Sequence, residues 1–152
     1  MRVRTFERDA GDGSAFVTEA CNRPDRRLVI VFGASSLADE PERIARIAAA
    51  HPGSAFVGCS TAGEIAGDRV RDDSIVGAVV DFERTTVRQA SAEVRSAEDS
   101  FSAGESIGRA LGAPDLKAVL VLSDGLHVNG SELIRGLDGA LPESVVVTGG
   151  LA

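Results

Sequence analysis

The sequence has no tyrosine and no tryptophan, and six phenylalanines carry all of its aromatic surface. Sites that stack bases or sugars draw on more aromatic side chains than that. Basic charge is also short. Sixteen Lys and Arg stand against 23 Asp and Glu, for a formal net charge of −7. A nucleic-acid-binding domain needs a basic footprint, so no nucleic-acid partner is expected. Lys117 is the sole lysine, which reads as compositional bias towards arginine. There are two cysteines, Cys21 and Cys59, at no metal or redox spacing. No metal site and no disulfide framework are indicated, and a reducing cytoplasm is the expected location. No apolar run approaches the roughly 20 residues of a membrane span, and no apolar h-region follows Met1-Arg2-Val3-Arg4-Thr5. Neither a membrane partner nor a secretory signal is expected. The cofactor-binding glycine patterns are missing too. Gly33-Ala34-Ser35-Ser36 is not a Gly-x-Gly-x-x-Gly turn, and no glycine loop runs into Lys-Ser/Thr. No dinucleotide or P-loop cofactor is therefore expected.

What is present is enough for a packed domain: 152 residues, 43% of them hydrophobic. Two continuously apolar runs, at 28–32 and 118–122, read as strands covered on both faces, and 55–59 and 145–148 read as further strands. Helices are predicted at about 39–50, 101–111 and 131–141 from apolar positions at helical spacing. Asp39 or Ser36 is a candidate cap for the first, with Pro41 in its first turn. Asp99-Ser100 can cap the second, and Asn129 or Ser131 the third. A weaker helix is predicted from Ser14 to Cys21. His51-Pro52-Gly53 ends the first helix, with His51 read as a helix-end residue facing solvent or the last carbonyls. Residues 74–82 read as a further strand, and the imperfect alternation of 86–94 as its hairpin partner.

Strand, helix, strand with short connections implies parallel pairing. The fold class is therefore α/β. A mixed central β-sheet with flanking helices is expected, in the order βαβ unit, β-hairpin and βαβ-type unit, within a larger layered fold.

The chain is organised around Ala55 to Gly67, where an apolar strand turns abruptly into Gly58-Cys59-Ser60-Thr61-Ala62-Gly63-Glu64. Ligands of open α/β sheets sit at the carboxyl ends of strands. That end offers backbone N–H groups, two hydroxyls, a thiol and a carboxylate. Ser123-Asp124-Gly125-Leu126-His127-Val128-Asn129-Gly130 is a second polar switch behind a strand, and Gly149-Gly150 follows the last one. The candidate ligand-binding residues are Cys59, Ser60, Thr61, Glu64, Asp124, His127, Asn129, Gly149 and Gly150. The loops 33–37, 59–64, 123–129 and 148–150 are expected to converge. The plainer reading of each is a tight strand-to-loop turn whose polar groups satisfy local backbone.

The run Gly58-Cys59-Ser60-Thr61-Ala62-Gly63-Glu64-Ile65 resembles the signature of the FIST domain family (F-box and intracellular signal transduction). The likeness continues through Val70 and Asp73-Ser74-Ile75-Val76, the Asp124-Gly125 turn with Asn129-Gly130, and the final Gly149-Gly150-Leu151-Ala152. It covers roughly residues 28–152, the N-terminal region of that family. The resemblance implies a sensory, signal-transduction module that binds a small ligand such as an amino acid. It also implies a FIST C-terminal region as companion, or a signalling partner. The sequence stops on a strand and half a loop, so it is expected to be the N-terminal part of a longer protein.

Two other classes compete. Cys59 and His127, with Asp124 near His127 in the chain, are the parts of a cysteine-dependent hydrolase or transferase, if a Cys–His pair came within hydrogen-bond reach. No catalytic residue is assigned, because free cysteine is among the most buried residue types and Cys59 follows an apolar strand. A non-catalytic protein-interaction domain would instead show a flat apolar patch.

Overall fold

The long apolar runs become strands, two of them at the centre of a four-stranded sheet. The computed structural model describes residues 1–9 and 21–152. The chain divides into two compact units, Met1–Arg88 and Gln89–Ala152.

In the first unit the strands are β1 (Arg2–Asp9), β2 (Arg27–Ala34), β3 (Ala55–Thr61), β4 (Glu64–Ala66), β5 (Arg69–Arg71) and β6 (Ser74–Asp81). Four of them form one sheet in the order β1-β6-β2-β3. β2 and β3 run parallel, joined through helix α1 (Pro41–Ala49), as the spacing requires. β6 is antiparallel to both β1 and β2. Val29, Val31, Ile75 and Val79 bury one sheet face against Leu37 and Ile47, with Phe6, Ile44 and Phe56 at the margin. β4 and β5 form a small hairpin whose turn is Gly67-Asp68, with Gly67 at φ +63°.

In the second unit β7 (Ala118–Ser123) and β8 (Val146–Leu151) pair in parallel around helix α3 (Gly130–Ala140). Helix α2 (Ser100–Leu111) packs on α3 at close range. A Cβ on Gly136 would strike the Phe101 carbonyl, and one on Gly104 the Leu133 carbonyl, so glycine sets the approach. Val119, Ala103, Leu111, Leu133, Leu137 and Leu141 form the core.

The mixed α/β class holds, but six expectations need correction. β7 is not covered on both faces, since Ala118 and Leu120 are exposed. Asp99 stands at the N-cap of α2 without a side-chain cap bond. The described strands fall into three sheets of four, two and two strands, not one central sheet. Residues 86–94 are not a strand, and the partners of β6 are β1 and β2. The alternation there has a different cause: Ala90, Ala92 and Val94 lay one side of an irregular segment on the core of the second unit. His51 is buried, at 8% exposure, rather than solvent-facing. Neither Asp39 nor Ser36 caps α1. Its N-cap is Glu40, with no side-chain cap bond, and Pro41 opens the helix. The helix predicted from Ser14 lies outside the described residues as far as residue 20.

Candidate functional site

Parallel pairing brings the carboxyl ends of β2 and β3 side by side, with Gly33 opposite Ser60 and Ala34 opposite Thr61. The short helical turn Ser35–Asp39 follows β2, and the Ala62-Gly63 corner follows β3. Loops 33–37 and 59–64 therefore share one end of the first unit. Glu64 turns inward at that corner and is 2% exposed. Thr61 Oγ1 donates to its Oε1 at 2.8 Å. The Ser74 hydroxyl and backbone N–H donate to its Oε2 at 2.8 and 3.2 Å. A buried carboxylate is tolerable only when hydrogen-bonded in this way. Its bonds tie the end of β3 to the start of β6 and fix the corner between them.

Glu64, a candidate ligand-binding residue by sequence, thus uses both oxygens inside the fold. Ser60 is exposed beside it. Cys59 is half-buried, and burial pushes its thiol pKa above the ordinary range. That is the opposite of what an activated nucleophile needs.

At the carboxyl end of β7 the chain makes a turn over residues 125–127. Asp124 Oδ1 accepts the Leu126 N–H at 2.6 Å, and Oδ2 lies 2.5 Å from His127 Nδ1. The Leu126 N–H first, and His127 next, hold the Asp124 carboxyl below its usual pKa. Both side chains stay open to solvent, His127 at 59% and Asp124 at 47%. With Nδ1 engaged, a ligand contact from His127 falls to Nε2. Asn129 caps α3 by accepting the Glu132 N–H at 3.3 Å. Its own N–H donates to the fully buried Ser100 hydroxyl at 2.9 Å, which anchors the turn to α2.

The end of β8 closes onto the same turn. Ala152 N–H donates to the Ser123 carbonyl at 2.8 Å, and Gly125 N–H donates to the Ala152 carbonyl at 2.7 Å. Gly149 has φ +154°, and a Cβ there would strike the Val121 carbonyl of β7, so only glycine fits. Gly150 has open space where a Cβ would stand.

The nine candidate residues thus fall into two groups. Cys59, Ser60, Thr61 and Glu64 belong to the first unit. Asp124, His127, Asn129, Gly149 and Gly150 belong to the second. Two partners escape sequence reasoning. Ser74 reads only as the first residue of a strand, and Ser100 only as a helix-start residue. Nothing local links either to the site group it serves. Among the described residues no three His, Cys, Asp or Glu side chains are grouped as a metal ion requires. No helix among them is long and apolar enough to cross a membrane.

A family model described as the FIST N domain matches residues 27–152. No curated protein and no solved structure matches the chain.

Proposed function

The chain belongs to the FIST family, whose members are sensory and signalling modules, and from that premise we propose that it senses a small ligand, an amino acid or a related metabolite. The observation that carries this reading is the Asp124–His127 turn: an acid and an imidazole, pre-positioned by hydrogen bonds, yet solvent-open at the carboxyl end of a parallel strand. That is where open α/β sheets take ligands. The Asp124 carboxylate suits an ammonium group. His127 Nε2 and the α3 N-terminus, whose free N–H groups attract anions, suit a carboxylate. A zwitterion answers both demands, which a phosphate does not.

Amide spectra of the isotope-labelled chain, recorded against pooled amino acids, test the reading. Perturbations are expected at residues 123–130 and 148–151. A response scattered over the surface, or none at any pool, overturns it. The same spectra of Asp124→Asn should show a weakened response to whichever pool acts on the wild type.

A further inference from the structure

The amino-terminal end of β2 carries a second polar group, separate from the Asp124–His127 turn. Arg27 begins β2 opposite Asp81, the last residue of β6. Arg27 is 4% exposed; its Nε donates to Asp81 Oδ1 at 2.6 Å and its Nη2 to Oδ2 at 3.2 Å. Arg4 of β1 donates to the same Oδ2 at 2.7 Å. One carboxylate therefore answers two guanidiniums.

His51 lies in the connection between α1 and β3, shortly before Ala55, which pairs with Leu28 next to Arg27. It is buried, and its Nδ1 has no hydrogen-bond partner among the described residues. Its backbone is woven into the connection: its N–H donates to the Ala48 carbonyl at 2.9 Å, and its carbonyl accepts the Ser54 N–H at 3.2 Å. The charged groups acting on the ring are Arg27 of β2, Arg4 of β1 and Asp81 of β6. Two repel an added proton and one attracts it, and the attracting carboxylate is already shared.

We propose that His51 is an acid-sensitive latch on the α1–β3 connection. At neutral pH the imidazole is uncharged and fills the end of the sheet. As pH falls, the ring takes a proton from solvent, and burial beside two guanidiniums becomes unfavourable. The ring leaves its place, and the 51–54 turn, bonded through the same residue, opens with it. Burial first, and the charges of Arg27 and Arg4 next, hold the His51 pKa below its ordinary 6.5. The unfolded or opened chain then binds more protons in that window, so stability is present above pH 6.5 and is lost as pH falls through the folded value.

The test uses the whole chain, which has only two histidines. Imidazole C–H resonances are titrated in the wild type, with His127→Gln serving only for assignment. Amide exchange across 48–56 and the thermal midpoint are compared at about pH 7.5 and about pH 5.5, the range in which histidine switches. We expect His51 to titrate below 6.5, the 51–54 amides to lose protection at the lower pH beyond the intrinsic change, and the midpoint to fall by several degrees. His51→Gln should lose most of that pH dependence. A His51 that titrates at or above 6.5, or a His51→Gln variant that keeps the full fall, overturns the latch. If His51→Gln does not fold, the wild-type titration and exchange decide alone.

Discussion

Glu64 and Cys59 show how one short motif divides its work between fold and surface. The carboxylate of Glu64 answers Thr61 and both donors of Ser74. Glu64→Ala strands three donors in a buried place and should cost about 1–3 kcal/mol, or more if no water enters. Glu64→Gln should cost less, because the Thr61 hydroxyl can turn to accept from the new amide. Urea unfolding of the two variants checks the order. A Glu64→Ala variant as stable as wild type would contradict this role. Cys59 belongs with packing. Burial raises its pKa, so thiolate should be scarce at neutral pH and alkylation slower than for a free thiol, with the rate rising only at higher pH. Cys59→Ala should cost about 1 kcal/mol, the scale of losing a small half-buried group. Alkylation already fast at neutral pH, and dependent on His127, would restore the enzyme reading. The position of this motif is legible in the sequence, since an apolar run that breaks into glycine and hydroxyls marks where a buried strand leaves its sheet. The direction of Glu64 is not, because inward or outward depends on Ser74, ten residues on and on another strand.

At the scale of elements, the strands with continuous apolar runs are legible and those without are not. β2, β3, β6, β7 and β8 follow from their apolar runs, although β8 is exposed at most positions. β1 escapes because Arg2-Val3-Arg4-Thr5-Phe6-Glu7-Arg8-Asp9 is polar at most positions, as an edge strand can be. Phe6 is its one aromatic link to the core. The alternation at 86–94 is equally instructive. It reports one buried side correctly and misleads about pairing, since an irregular segment lying on a core gives the same pattern as a half-buried strand.

Asp81 joins three strands at one carboxylate, so its loss should be felt across the sheet. Asp81→Asn removes the charge that Arg27 and Arg4 share and should cost about 3 kcal/mol at neutral pH. Arg27, by hydrogen bond first and by charge next, holds Asp81 below its ordinary 3.8. Its contribution is therefore present above that value and lost as pH falls below it, a window separate from that of His51. Acid unfolding of Asp81→Asn should lack this step, and an unchanged acid limb would contradict the assignment. In the second unit the α2–α3 crossing rests on glycine. Gly136→Ala must push against the Phe101 carbonyl and the Glu105 nitrogen, and should cost about 1–3 kcal/mol. A neutral result by thermal melting would mean that the helices part easily.

At the scale of the molecule, the family match places the chain among sensory and signalling modules. The central claim is that a zwitterionic small molecule is held at the polar strand ends, with Asp124 and His127 in contact with it. Thermal melting of the chain against a panel of the common amino acids tests this most directly. A ligand that binds only the folded state adds about 2.7 kcal/mol at a hundredfold excess over its Kd, which reads as a shift of several degrees. A dose-dependent rise is predicted with at least one amino acid, much reduced in Asp124→Ala and in His127→Ala. A midpoint unmoved by every compound, or a rise that both variants keep in full, would contradict it.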